Sequence, residues 1–406
     1  MAIKYTVPEN WLQYEINQLV DVLTDAKAAV LSLVSVPYQK SWAESLRQIQ
    51  LKHEVAGTSR IEGADFTEKE LDAALKDETP EEMLTRSQRQ ARAAVYTYKW
   101  ISKLPDDRPI DEGLIKEVHL RIVTGCDDDH CRPGELRASG YNVTFGSPLH
   151  RGVEGGKECR AAFQDLCRAM QEEFRGHDIL IRALALHYHL GAMHPFQDGN
   201  GRTARAVEAL ILQRAGLRDT LFIALSNYYY DEKPSYLSAL NQSRSQNHDL
   251  TPFLIFGLKG IAFQCRRLLS EINNEISKAL FRDIMNDLFN RLQSAKKRAM
   301  SKRHITVLNC LLENKTMKLS DLYNAVMIAY LKLKDPWKAF VRDLIYIENL
   351  NAININTNKE GDVIIGIRME WPMEITETEF FEKVNRMPKA KTYGFLQKSK
   401  ARKSRT

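Results

Sequence analysis

Residues 194–205 read His-Pro-Phe-Gln-Asp-Gly-Asn-Gly-Arg-Thr-Ala-Arg, and no other stretch constrains this chain as strongly. Before it, Ile179, Ala183, Leu186, Leu190 and Met193 recur at helical spacing. Pro195 lacks an N–H and restricts its predecessor, so the helix gives way at His194. Asp198-Gly199-Asn200-Gly201 is a turn signal, because glycine reaches positive φ without steric cost. A second helix follows, with Val207, Leu210 and Ile211 on its apolar face and Ala215-Gly216 at its end. The loop therefore empties into a helix N-terminus, where free N–H groups and the helix dipole attract anions. Arg202 and Arg205 lie three apart in the first turn and face one ligand. Two cations at that end are unfavourable unless an anion sits between them. The residues describe a cradle for a nucleotide's phosphates beside a proton acceptor, His194. The loop is not a P-loop, since no Gly-x4-Gly-Lys-Ser/Thr is present.

These twelve residues resemble the Fic family signature, His-x-Phe-x-Asp/Glu-Gly-Asn-Gly-Arg-x-x-Arg, at every fixed position. Members of that family mostly transfer AMP from ATP to a hydroxyl side chain of a target protein. The resemblance implies that His194 is the general base and that Phe196 anchors the loop. Asp198 would hold Mg²⁺ across the α- and β-phosphates. Asn200, with the backbone around Gly199 and Gly201, would form an anion hole. Arg202 would meet the phosphates and Arg205 the γ-phosphate, with Thr203 and Ala204 completing the nucleotide-contacting run. Such roles suit phosphoryl chemistry, which is mostly positioning plus electrostatic stabilisation, with a base for the hydroxyl.

Thr58-Ser59-Arg60-Ile61-Glu62-Gly63 resembles the family's inhibitory motif, Ser/Thr-x-x-x-Glu-Gly/Asn. The resemblance pairs Glu62 with Arg205 and denies that arginine to the γ-phosphate. Glu62 also falls in the last turn of a helix before a capping glycine, where a negative charge opposes the dipole. A cation across a cleft explains it. Pro133-Gly134-Glu135-Leu136-Arg137 resembles the family's Pro-Gly-x-x-Arg, which precedes a β-hairpin flap. Tyr141 to Phe145 alternates as a strand, and Gly146-Ser147-Pro148 reads as its turn. The target protein would dock on this flap, Tyr141 to His150, by strand addition. Ser226, Tyr236 and Leu240 match a pattern whose tyrosine lines an adenine pocket. His187 and His189 flank the motif helix and are expected to be packed or hydrogen-bonded.

The expected fold is mainly α: a Fic-type helical core with a β-hairpin flap, then a small α+β winged-helix domain. Helices are expected over Trp11–Leu33, Ser41–Val55, Glu68–Lys76, Gln88–Ile101 and Asp111–Val123, and one unbroken helix between Arg266 and Met300. Residues 1–120 form the helical region with the inhibitory motif and 121–262 the catalytic core. Residues 263–300 form a linker helix, 301–372 the winged-helix-like domain and 373–406 a basic tail. Its stretch from Lys389 to Arg405 carries seven Lys/Arg and no acid. In the C-terminal part, Ile305–Leu312 is a helix, and Leu319 opens another capped by Ser320 or Asp321. Pro336–Leu344 is a third, with Asp335 as N-cap. Ile353, Ile355 and Val363–Ile367 are strands. Lys338 and Arg342 would be the groove-facing residues of the third helix.

A composition of 44% hydrophobic and 27% charged residues places the chain among soluble globular proteins. No apolar run approaches a membrane span and Met1-Ala2-Ile3-Lys4 opens no signal peptide. Six cysteines without a framework pattern point to a reducing cytoplasm. Cys126, His130 and Cys131 match no common zinc spacing. The expected activity is a protein adenylyltransferase using ATP and Mg²⁺, autoinhibited by Glu62. A competing reading is a transcriptional regulator with a nucleotide-sensing core and a DNA-binding winged helix. A third keeps the enzyme but uses another nucleotide donor, or removes AMP. A homodimer and DNA are left open as further partners; a membrane is not expected.

Overall fold

A computed structural model describes residues 2–36, 40–76, 85–146, 148–217, 223–292 and 295–386. The chain divides into two compact units, Met1–Glu271 and Ile272–Thr406.

The first unit is built on α7 (Ile179–Met193), whose residues from Leu180 to Met193 are buried almost without exception. Asp178 caps it, accepting from the Leu180 N–H, and His194 ends it at φ 50°, ψ 61°. Helix α8 (Asn200–Leu212) packs closely against α7 and also contacts α5 (Glu112–Val123) and α2 (Lys40–Ile61). Helix α2 lies so close to α9 (Leu225–Asp231) that a Cβ on Gly57 would come within 2.4 Å of the Asn227 backbone nitrogen. Helices α1 (Ile16–Val34), α3 (Glu68–Lys76), α4 (Arg86–Ile101), α6 (Lys157–Gln171) and α10 (Lys233–Ser245) complete the bundle. Helix α11 (Thr251–Asn290) contributes to both units.

A three-stranded sheet of two-residue strands flanks α7, in the order β1 (Ile3–Lys4), β3 (His150–Arg151), β2 (Thr144–Phe145). The hairpin β2–β3 is the expected flap, although the strand is shorter than Tyr141–Phe145. Tyr141 is turned instead, its N–H donating to Ala138 O. With β3 in the middle, β1 pairing parallel to it and β2 antiparallel, β1 and β2 are the two edges of the sheet. Of the expected turn, Ser147 lies outside the described residues.

In the second unit, α12 (Ala295–Asn314), β4 (Thr316–Lys318), α13 (Leu319–Val326), α14 (Pro336–Asn349), β5 (Ile353–Thr357) and β6 (Val363–Ile367) follow in that order. The sheet runs β4-β6-β5, antiparallel throughout. Phe281, Leu308, Leu311, Leu322, Phe340, Leu344, Ile365 and Trp371 belong to one buried cluster. Asp335 caps α14 as expected, accepting from the Lys338 N–H.

Several boundaries move. Helix α1 begins at Ile16 rather than Trp11, since Asn10 Oδ1 takes the Leu12 N–H and turns the chain. The unbroken helix expected from Arg266 to Met300 is two helices, α11 ending at Asn290 and α12 starting at Ala295. No proline or glycine marks that break. It brings the stripe Phe281, Met285, Leu288 and Phe289 into one cluster with Val307, Leu308 and Leu311. The cap of helix α13 lies at Lys318, two residues before Ser320, with no side-chain cap; Ser320 donates to Asp321 instead. Two helices, α15 (Trp371–Glu374) and α16 (Glu377–Arg386), occupy the start of the segment read as a tail. They bury Trp371 and Phe380. The basic stretch Lys389–Arg405 lies outside the described residues.

Candidate active site

The α7–α8 connection is held open by its own side chains. Asn200 Nδ2 donates to Phe196 O at 2.8 Å, and its Oδ1 accepts from the Phe196 N–H at 2.9 Å. The Asn200 side chain thus shapes the loop. Phe196 is buried, stacked on His119 at 3.8 Å, and the His119 Nε2–H donates to Asp198 O. Gly199 sits at φ 72°, and a Cβ there would press to 2.5 Å from Val123, so both conformation and space demand glycine. Thr203 returns its hydroxyl to Gly199 O, and Ala204 is packed in the core. Gly199 caps α8 without a side-chain hydrogen bond, which leaves the first N–H groups of the helix facing the loop.

His194 lies at the loop entrance. Its Nδ1 is 2.5 Å from Gly191 O; a carbonyl only accepts, so Nδ1 carries the proton and Nε2 keeps its lone pair. Burial, seconded by the Arg244 charge, pushes the imidazole down to about 3. The Phe145 ring of the flap stacks on it at 3.6 Å. Arg137, from the Pro-Gly-x-x-Arg segment, fastens flap to loop: Nε donates to His194 O, Nη1 to Tyr141 O and Nη2 to Val153 O.

Glu62 and Arg205 do meet. Glu62 follows the end of α2, and Gly63 reverses the chain at φ 88°. The Arg205 Nη2 donates to Glu62 Oε1 at 2.5 Å, while Nε and Nη2 donate to Thr58 Oγ1 and Thr58 O at 2.9 and 3.1 Å. Burial pushes the Glu62 carboxyl up, but the Arg205 guanidinium outweighs it, and the net direction is down. Glu62 also covers Gly201 so closely that a Cβ there would overlap its carboxylate.

Arg202 takes a partner that sequence reasoning missed. Its Nη1 donates to Asp127 Oδ2 at 2.6 Å, and Asp127 is buried. Asp127 Oδ1 also accepts from Arg86 Nε and Nη2 and from Gln90 Nε2. Desolvation raises the Asp127 carboxyl, but Arg202 foremost, with Arg86, holds it down at about 2. Arg86 Nη2 also stands 3.5 Å from Asp198 Oδ2, and Arg202 Nη2 3.8 Å from Asp198 Oδ1. Nothing in the isolated sequence tied Arg86 or Asp127 to the loop. The cluster Cys126–Cys131, with its three consecutive aspartates, was the only cue, and its spacing matched no common zinc motif.

Tyr236 is buried. Its hydroxyl is 3.0 Å from His187 Nε2 and its ring stacks on Tyr229 at 4.8 Å. Ser226 binds Glu54 on α2 through both its N–H and its hydroxyl. His189 donates to Trp11 O. Among the described residues, no cluster of three or more His, Cys, Asp or Glu could hold a metal by itself. Asp198, a half-exposed carboxylate flanked by cations at a helix N-terminus, fits the single protein ligand of a Mg²⁺ that takes its other ligands from phosphates and water.

Residues 109–212 match the Fic/DOC family. Protein adenylyltransferase Fic of Nematostella vectensis is 38% identical over 144 residues, 35% of this chain and 30% of that protein. The protein of that name from Culex quinquefasciatus is 30% identical over 141 residues, 34% of this chain and 25% of that protein. The similarity thus spans less than a third of the length of these relatives. A Fic family protein from Desulfovibrio desulfuricans G20 superposes with TM-score 0.55 at 17% identity, covering 91% of this chain and 98% of that one. Fic-1 of C. elegans superposes with TM-score 0.52 at 20% identity, covering 63% and 73%. The chain carries a Fic domain and has a Fic-type helical fold.

Proposed function

We propose that this chain transfers AMP from ATP to a hydroxyl side chain of a target protein, and that Glu62 holds it in a resting state. The observation that carries the reading is the Glu62–Arg205 contact over an uncapped α8 N-terminus, beside an imidazole whose Nε2 lone pair is free. His194 Nε2 takes the proton of the target hydroxyl, whose oxygen bonds to the α-phosphorus as the α–β bridging bond breaks. Gly191 O keeps the imidazole in the tautomer that accepts at Nε2. The N–H groups at the start of α8 receive phosphate oxygens. Asp198 would hold Mg²⁺, which supplies neutralising charge to the phosphates. Once Glu62 withdraws, Arg205 meets the γ-phosphate. The target segment adds to the open edge of β2, so its hydroxyl must take the place of the Phe145 ring over His194.

The order α12-β4-α13-α14-β5-β6 is that of a winged helix, and it supports a role for the second unit in target choice or assembly. Lys338 and Arg342 are exposed on α14 but each already lies near an aspartate, Asp335 or Asp343, which makes α14 a poor reader of DNA. All six cysteines are free, and among the described residues no helix is long and apolar enough to cross a membrane; both support work in the cytoplasm.

The test is incubation of the wild type, Glu62→Gly and the doubly substituted Glu62→Gly, His194→Ala protein with ATP labelled at the α-phosphate and a cell lysate. Label should enter protein with Glu62→Gly and not with the double variant. Label from UTP or CTP instead would change the donor, and loss of pre-formed AMP label would reverse the reaction. Equal labelling by the two variants would remove His194 from the chemistry.

A further inference from the structure

Residues of β1, β3 and the end of α10, with Ala192 of α7, line a cavity of about 270 Å³. Lys4, Tyr5, His150, Arg151, Arg244 and His248 are among the residues that line it, and no Asp or Glu does among the described residues. Among the lining residues, the Tyr5 hydroxyl, Arg151 Nε and Arg244 Nε have no hydrogen-bond partner, and each of these atoms is itself closed to solvent. Each can donate. Buried donors left unmade are costly, and a buried guanidinium more so. Glu154 meets Arg151 at 2.5 Å and Lys4 at 3.9 Å, and Glu158 meets Lys4 at 3.7 Å, so those two charges are partly answered from outside the cavity. Arg244 is not. It meets no carboxylate among the described residues, and has only the Phe145 ring face at 4.7 Å and a long 3.4 Å contact to Gly191 O.

Both imidazoles in the wall have hydrogen-bond partners. His150 Nε2–H donates to Asn241 Oδ1 at 2.9 Å. His248 Nδ1 accepts from the Tyr188 hydroxyl at 2.8 Å, and burial pushes that ring down to about 4. Asn247 and His248 hold positive φ of 53° and 63°, backbone that persists only where the surroundings fix it. The cavity is therefore lined by three cationic side chains from three different elements, Lys4 on β1, Arg151 on β3 and Arg244 on α10, and by no acid among the described residues.

We propose that this cavity is a second anion site, separate from the nucleotide loop, which takes a phosphate group, either free or carried by a small phosphorylated metabolite. Cations supplied by three separate elements suit a tetrahedral oxyanion, whereas a planar carboxylate would be met in full by one guanidinium fork. The volume leaves room for a few further atoms. Occupancy also reaches the catalytic loop. Ala192, in the cavity wall, lies two residues before His194, and Gly191 O accepts from both Arg244 and His194. An anion on Arg244 would offset the charge that, after burial, does most to depress the His194 imidazole, and would make His194 a stronger base.

Isothermal titration of the full chain with inorganic phosphate, then with glycerol 3-phosphate, tests this. Wild type is compared with Lys4→Gln, Arg151→Gln, Arg244→Gln and Arg205→Gln, each checked for fold by circular dichroism. Phosphate should bind wild type and Arg205→Gln alike. Arg151→Gln and Arg244→Gln should each lose roughly tenfold or more in affinity, as expected for charge-assisted hydrogen bonds. Lys4→Gln, a half-exposed position that the fold tolerates, should lose less but measurably. Tighter binding of glycerol 3-phosphate than of phosphate would assign a phosphorylated metabolite; the reverse would assign the free anion. Loss of binding with Arg205→Gln while the cavity variants bind normally would place the anion in the nucleotide loop and overturn the proposal, as would no binding by the wild type. None of these readouts depends on AMP transfer, so the proposal and the reading of the active site can fail separately.

Discussion

Replacing Glu62 by glycine should cost stability and increase activity together, and the structure sets the size of both effects. Arg205 is only 1% exposed, while the Glu62 side chain is 39% exposed. Breaking a fully buried ion pair costs about 3–5 kcal/mol and losing an exposed one about 0–1 kcal/mol. With one partner closed and the other open to solvent, a loss of roughly 1–3 kcal/mol follows. In a unit of this size, that corresponds to a melting point lower by roughly 3–10 °C. Thr58 still gives Arg205 two neutral acceptors, so the unit should not unfold. ATP with Mg²⁺ should then raise the melting point of the variant more than that of wild type, because the γ-phosphate restores an anion to Arg205. Labelling should rise by at least about tenfold if that contact contributes about 1.4 kcal/mol to productive binding. Glu62→Gln keeps an acceptor without the charge and should fall between the two. The pH dependence has a fixed sign. The folded carboxyl lies below its usual 4.5, so its contribution is present above that value and is lost as pH falls beneath it. Melting curves with and without nucleotide, alongside labelling at saturating ATP, decide the matter. If Glu62→Gly melts with wild type, gains no more from ATP and labels no faster, Glu62 does not restrain Arg205.

Three further substitutions probe the neighbourhood. His194→Ala should lose ~10²–10⁴-fold of labelling while calorimetry finds ATP affinity retained; and because the buried ring is held near 3, labelling by Glu62→Gly should stay level from about pH 8 to about pH 5. An acid limb near the usual 6.5 would show that the ring is hydrated during turnover. Glu54, buried against Tyr98 and Ser226, is pushed up by desolvation to about 7 from 4.5. Its folded pKa is the higher one, so stability should fall by roughly 3 kcal/mol as pH rises from 4.5 to 7; urea titrations of Glu54→Gln should lack that slope, and an identical slope would assign it elsewhere. Asp127→Asn leaves Arg202 and Arg86 without their carboxylate and should cost about 3–5 kcal/mol in urea denaturation; a neutral result would mean that the network relaxes.

The loop and both its helices were legible because their signals are local. Pro195 and Gly199 dictate backbone conformation, and the apolar spacing of Ile179 to Met193 dictates a helix whatever surrounds it. The Glu62–Arg205 contact joins residues 143 apart in sequence, and became legible only through the resemblance of two motifs. Asp127, Arg86 and Arg244 belong to no such motif. Each is an ordinary charged residue whose role comes from the partner that the fold delivers. The break between α11 and α12 was hidden for a related reason. Nothing in residues 291–294 forbids a helix, and tertiary packing imposes the reversal. Tyr236, read from a motif as a ligand contact, is packed against Tyr229 and beside Arg205, a placement the motif alone did not give.

The charges around the loop differ in how firmly each is held, and that difference fixes which of them can respond to substrate. Arg202 is tied to Asp127, a buried carboxylate that also takes Arg86 and Gln90. An arriving phosphate would have to compete with an anion that has three donors and no access to water. Arg202 thus holds the start of α8 to Asp127, and on the proposed reading any contact it makes with a phosphate is made from that pair. Arg205 is tied to Glu62, an anion half-open to solvent at the end of a helix, with Gly63 immediately after it. That anion can leave at modest cost, because water can take over its solvation. On the proposed reading, Arg205 is thus the arginine that exchanges an internal carboxylate for an incoming phosphate. On the proposed reading a single glutamate suffices for the restraint, because the neighbouring arginine is already paired with Asp127.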